Sequence, residues 1–162
     1  MIKKVKKGDL NISFAMIFSI ILIISFVGVG FYAISGFLKT KSCAELGQFK
    51  QDLQNEINRA WSSDESSFMF KKTIPAEACI INISASQIGP NKEQYESFRK
   101  LGYQGNLFFY PLGKCKGSIF SLEHISLEKI TSGENPYCIP KKVELNIVKS
   151  FNDPRVCLGD DC

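Results

Sequence analysis

From Leu10 to Leu38 the chain runs for 29 residues without one charged side chain. As a helix that run would be about 43 Å long, against roughly 30 Å of bilayer hydrocarbon. Between Ile12 and Ile34 it holds 14 Ile, Leu, Phe or Val residues. At about −0.4 kcal/mol each on the membrane-insertion scale they supply roughly −6 kcal/mol. Ser13, Ser19, Ser25, Gly28 and Gly30 subtract from this without reversing its sign. A soluble domain of this size has no use for an apolar helix so long, and the run predicts a single transmembrane helix.

Charge and cysteine position predict its orientation. Lys3, Lys4, Lys6 and Lys7 precede the run, and Lys39, Lys41 and Lys50 follow it. Counting the terminal amine, the positive-inside rule favours a cytoplasmic N-terminus by a small margin. All six cysteines, Cys43, Cys79, Cys115, Cys138, Cys157 and Cys162, lie on the C-terminal side. An even number, widely spaced and without a C-x-x-C pair, points to disulfides in an oxidising compartment outside the cytoplasm. A zinc site is disfavoured because His124 is the sole histidine and no ligand pair is local. Six cysteines allow about 15 pairings. The arrangement preferred on sequence is Cys157 with Cys162 across Gly159, Cys43 with Cys79, and Cys115 with Cys138.

The net charge of +4 comes mostly from the leader. Residues 39–162 carry 16 Lys and Arg against 15 Asp and Glu, so the outer part has no basic footprint for nucleic acid. The expected partner is the lipid bilayer, with the leader lysines near anionic headgroups.

Beyond the span, Leu46, Phe49, Leu53, Ile57 and Ala60 recur at helical spacing, with Trp61 extending the stripe. The stripe either packs on its own domain or is shared with homo-oligomer or filament neighbours through Leu46, Phe49, Leu53 and Ile57. Ser62 to Ser67 should end the helix. Strands are expected over Ser67–Thr73 and Ala78–Ser84, with a turn around Ile74-Pro75-Ala76. Pro90 and Asn91 introduce a short helix, Lys92–Leu101, with Tyr95, Phe98 and Leu101 on one face and Gly102 as its C-cap. Asn106–Leu112 and Gly117–Leu122 read as strands, and Val143, Leu145 and Ile147 alternate with polar residues. Asn152–Cys162 is turn-rich. The expected class is α+β: a transmembrane helix continuing into an amphipathic one, then a small, mostly antiparallel, β-rich disulfide-containing head. The boundaries are 1–9 for a basic cytoplasmic leader, 10–38 for the span, 39–66 for the amphipathic helix and loop, and 67–162 for the outer domain.

Little in the sequence suggests an enzyme or a cofactor site. His124 lies in Ser-Leu-Glu-His-Ile-Ser, without a G-x-S-x-G context. Asp160-Asp161 is an acidic pair outside any D-x-D-x-D-G loop. No Walker or dinucleotide fingerprint is present. Asn82-Ile83-Ser84 is a glycosylation sequon on the outward side, whereas Asn11-Ile12-Ser13 falls at the inner membrane edge.

The lysine-rich leader ending in Gly, the apolar helix, the amphipathic continuation and the β-rich head together resemble type IV pilins and archaeal pilin-like proteins. The residues that carry the resemblance are Lys6-Lys7-Gly8, Leu10 to Leu38 and Cys43 to Trp61. The stretch from Cys43 to Ser84 also looks like uncharacterised single-span archaeal membrane proteins. The pilin resemblance implies leader-peptidase cleavage between Gly8 and Asp9 and bundling of the apolar helices in a filament core. One departure is clear: Ser13 stands at the fifth mature position, where pilins usually have glutamate. Function is therefore expected to be that of a membrane-anchored extracytoplasmic structural protein, a pilin-like subunit. The alternatives are a monomeric anchored binding module and a secreted protein whose signal is cut near Ala33-Ile34-Ser35-Gly36, the latter disfavoured by the length of the apolar run.

Overall fold

A computed structural model describes residues 14–102, 104–113, 115, 118–159 and 162. By internal contacts the chain divides into two units, Met1–Thr40 and Lys41–Cys162. Helix α1, Phe14–Trp61, contributes to both and passes through Gly28, Gly30, Gly36 and Gly47 as one helical element. In the second unit β1 (Ser66–Thr73), β2 (Glu77–Ile80), α2 (Lys92–Leu101), β3 (Leu107–Tyr110), β4 (Ile119–Phe120), α3 (Leu127–Ile130), β5 (Tyr137–Ile139), β6 (Lys142–Lys149) and β7 (Cys157–Leu158) follow in order. The fold class is α+β, with strands in the orders β1-β6-β7 and β4-β3-β2-β5 and every pairing antiparallel.

Leu46, Phe49, Leu53, Ile57 and Ala60 are the buried residues of α1. Their spacing puts one stripe of the helix against the sheets, where it enters the main core with Ala78, Ile80, Leu107, Phe109, Val143, Leu145 and Ile147. Phe49 links the two sheets. Its ring meets Phe70 of β1 and Phe109 of β3 edge-on, with centroids 5.8 Å apart in each pair. Leu46, Phe49, Leu53 and Ile57 are at most 5% exposed, so the stripe packs on its own domain, the first of its two expected uses. The helix ends where serines take over its last carbonyls. Ser62 Oγ donates to Asn58 O at 2.8 Å and Ser63 Oγ to Ala60 O at 2.6 Å.

Both faces of β2 and β3 are covered. Ala78, Ile80, Leu107 and Phe109 face the α1 core, while Cys79, Ile81 and Phe108 pack with Tyr95 and Phe98 of α2. A strand pair buried on both sides reads as an unbroken apolar run, as Leu107-Phe108-Phe109 does. By contrast β6 alternates, with Val143, Leu145 and Ile147 inward. It pairs with β1 in the register Phe68↔Ile147 and Phe70↔Leu145. Helix α2 keeps its expected limits and its left-handed Gly102 C-cap at φ 62°, but Leu101 is 47% exposed. Tyr95 and Phe98 alone fill the gap under α2. Gly105 is required by close approach: a Cβ there would lie 2.7 Å from Phe120 O.

Disulfides join Cys43 to Cys115, Cys79 to Cys138 and Cys157 to Cys162. The last is the expected pair, while the other two correct the expected Cys43–Cys79 and Cys115–Cys138. Strand parity gives the reason. Cys79 shares its face with Ile81 on the α2 side and lies directly opposite Cys138 of β5. Cys115 packs against the core that α1 enters, within reach of Cys43 at a Cα–Cα distance of 5.6 Å. In the loop-entropy model Cys43–Cys115 is worth about 4 kcal/mol and Cys157–Cys162 about 2 kcal/mol.

The packing of Phe49 makes it the most costly single truncation in the helix. Phe49→Ala should lower the unfolding free energy of the detergent-solubilised chain by about 3–5 kcal/mol. Thermal unfolding followed by circular dichroism measures it. A loss below about 1 kcal/mol would mean that this ring does not join the sheets.

Candidate functional site

Two features stand out once the core is accounted for: the apolar part of α1 and the loop carrying the sequon. From Phe14 to Leu38, Phe, Ile, Leu and Val side chains are exposed, and the most apolar stretch has no buried residue. The helix is long and apolar enough to cross a membrane. Three of its hydroxyl groups bond back within it: Ser19 Oγ donates to Ala15 O at 2.8 Å, Ser25 Oγ to Ile21 O at 2.9 Å and Thr40 Oγ1 to Gly36 O at 3.1 Å. Such back-bonding spares these three donors the need for water, which hydrocarbon does not supply. Gly8 and Asp9, the expected cleavage site, lie outside the described residues, as does Asp160-Asp161.

The strand expected to run to Ser84 stops at Ile80. Beyond it the chain is captured by Asn135, a fully buried side chain from the segment before β5. Asn135 Oδ1 accepts the Asn82 N–H at 3.0 Å, and Nδ2 donates to Asn82 O at 2.9 Å and Ser86 O at 3.0 Å. The main chains of Ile88 and Asn135 add a reciprocal pair of bonds. A loop so held cannot continue the ladder with β3. Asn82 is thereby fixed, half-buried, with its Oδ1 accepting the Ser84 N–H at 3.2 Å, while Ile83 and Ser84 are exposed. The Tyr95 hydroxyl donates to Ala85 O at 3.0 Å and ties the loop to α2. The residues 83–87 and α2 enclose an open bowl of about 570 Å³.

His124 lies in neither a strand nor a helix. Its φ is 62°, and its imidazole stacks on Trp61 with centroids 3.8 Å apart and an angle of 11° between the rings. Gln54 holds the same turn, its Oε1 accepting the Glu123 N–H at 2.9 Å. The His124 carbonyl accepts the Val156 N–H at 2.8 Å. The side chain therefore caps the end of α1 instead of facing a nucleophile. Among the described residues, Glu77, Cys79 and Cys138 bring ligand atoms within 4.8 Å of one another. Cys79 and Cys138 are bonded to each other, so a single carboxylate remains for a metal.

The sequence pointed to Asn82 but not to Asn135, whose role depends on a contact 53 residues away. The one available signal was an asparagine before proline in a segment with no strand pattern. Likewise Trp61 was placed on the stripe, whereas it lies outside the core at 44% exposure and meets His124. No family model, characterised protein or solved structure matches the chain.

Two measurements follow from these contacts. Asn135→Ala leaves the Asn82 and Ser86 main-chain groups without their buried partner and should cost at least about 2 kcal/mol in thermal unfolding. On α2, the Glu93 carboxylate accepts the Tyr110 hydroxyl and, by this bond first, raises the phenol pKa above its ordinary 10.0. Glu93→Gln removes the charge that opposes the phenolate. Phenolate absorbance, taken as the difference from a Tyr110→Phe chain, should then appear at lower pH; an unshifted titration would discount the contact.

Proposed function

We propose that this chain is a single-pass, membrane-anchored extracytoplasmic structural protein, and specifically a pilin-like subunit. The observation that carries the reading is the apolar and unburied helix surface from Phe14 to Leu38. An exposed apolar surface of that extent needs lipid or other apolar helices around it. Residues 1–9 then lie in the cytoplasm, and the disulfide-bonded unit lies outside it, where an oxidising compartment supports the bridges. In a filament the neighbours meet through the apolar helix and not through the Leu46–Ile57 stripe, which the outer unit uses for its own core. The role is structural and not catalytic, with His124 engaged by Trp61.

The burial of that stripe also favours a second reading, a monomeric anchored module that binds a partner at the cell surface. The outer unit completes its core without a neighbour. A protein secreted after signal cleavage is a third.

Intact-mass measurement on chain purified from its native membranes separates these readings. The pilin reading expects loss of residues 1–8, leaving Asp9 as the first residue, and recovery of the chain in sedimenting filaments. An uncut chain that stays in the membrane fraction through alkaline carbonate and is monomeric in detergent supports the anchored module. Loss of about 35 residues, together with release into the medium, overturns both membrane readings in favour of secretion.

A further inference from the structure

The sequon and the bowl beside it belong together. Ile83 and Ser84 form part of the lining of the bowl, and the acceptor asparagine directly precedes them in the chain. The opposite wall comes from Tyr95, Glu96 and Arg99 of α2, and the near wall adds Ser86 and Gln87. This lining offers hydroxyls, a carboxamide and one charge of each sign. It suits a neutral, polyhydroxylated occupant better than a phosphate, for which Arg99 is offset by Glu96, or an apolar anchor, since Tyr95 and Phe98 are buried and present no free ring face. The volume of about 570 Å³ falls within the range of small-ligand sites, roughly 300–1,000 Å³.

Asn82 is presented as an acceptor. Its main-chain N–H and C=O are taken up by Asn135, and its Oδ1 by the Ser84 N–H. Among the described residues Nδ2 makes no hydrogen bond, and the bond to Ser84 uses the main-chain amide, which leaves the Ser84 side chain exposed. We propose that Asn82 carries an N-linked glycan whose first sugars lie in the bowl between residues 83–87 and α2. A covalent tether gives those sugars an effective concentration on the order of millimolar, so contacts too weak for free sugar still hold them. Ile83, 49% exposed at the rim, is covered by the same sugars. Transfer forms a bond from Asn82 Nδ2 to the anomeric carbon and breaks the bond from that carbon to the phosphate of a polyprenyl-phosphate-linked donor. The amide proton and the lipid phosphate depart, under a separate membrane transferase.

The inference rests on the outward placement of the second unit, and the test keeps the two apart. Full-length chain from its native membranes is reduced and digested with trypsin, and the peptide Thr73–Lys92 is weighed. The expected result is sugar-sized mass on Asn82, abolished by Ser84→Ala, a change that keeps the main-chain bond to Asn82. A bare Asn82 overturns the proposal. If thiol labelling before reduction finds the cysteines bridged, only the glycan fails; if it finds them free, the outward placement fails as well. Hydrogen exchange then tests the seat. Amides of residues 83–87 and α2 should exchange severalfold more slowly in the glycosylated chain than in Ser84→Ala. Glu96→Ala/Arg99→Ala should retain the mass and lose that protection. Equal exchange in glycosylated and Ser84→Ala chains, or protection that survives the double change, overturns the seat in the bowl.

Discussion

The core of the second unit depends on one helical stripe serving two sheets. Leu46, Phe49, Leu53, Ile57 and Ala60 enter a cluster that draws on β1 and β6 from one sheet and β2 and β3 from the other. The sheets share no strand, and Phe49 is the ring that touches both. Without the stripe, each sheet would expose an apolar face to water, at a cost of about 25 cal/mol for every Å² uncovered. Cys43–Cys115 reinforces this joint near the start of the stripe by fixing the helix to the β3–β4 connection. The same contact thus organises the packing and sets where the bridge must form.

That arrangement explains why the second sheet needs a second helix. Strands β2 and β3 turn one face to α1 and bring Cys79, Ile81 and Phe108 to the other. Helix α2 covers this second face with Tyr95 and Phe98 and is itself tied down by Asn91, whose Nδ2 donates to Pro136 O at 3.1 Å and to Glu134. Asn135, between those two acceptors in sequence, pins the loop that leads from β2 toward α2. A buried asparagine with its hydrogen bonds made is a specific clamp, because an apolar side chain of equal size would leave three main-chain groups unpaired. The sequon loop is rigid for this reason, and the bowl beside it keeps its shape.

How much of this could be read beforehand follows from the range of each interaction. The stripe in α1 was legible residue by residue, since helical spacing marks the buried face wherever the core lies. Strand β6 was legible for the same kind of reason, its alternation recording one covered face and one wet one. Helix α2 announced itself through Pro90, Asn91 and Gly102. Strands β5 and β7, with three and two residues, are too short to carry a period and exist through their partners. The extension of β2 past Ile80 was overestimated because Asn135 competes for the Asn82 main chain. Two bridges differ from expectation because face parity along β2, and not a tie between the helix base and that strand, decides which cysteine Cys79 meets. Alternation in Ala78-Cys79-Ile80-Ile81 already placed Cys79 apart from Ala78 and Ile80, but only the position of α1 says which face Cys43 can reach.

The division of labour along α1 bears on what this protein can be. Past Thr40 the helix has a single buried stripe, and the second unit uses all of it. Before Thr40 the helix is apolar around its whole circumference and none of its most apolar stretch is buried. A helix apolar on every side calls for apolar surroundings on every side, and among the described residues none of this stretch is covered. Its glycines point the same way: a Cβ at Gly28, Gly30 or Gly36 would meet no atom within 4 Å, so none of the described residues requires them small. In an exposed helix each costs about 1 kcal/mol relative to alanine. Among the described residues, the core clusters and disulfides of Lys41–Cys162 draw on no side chain before Cys43, so the apolar segment has no part in closing that core.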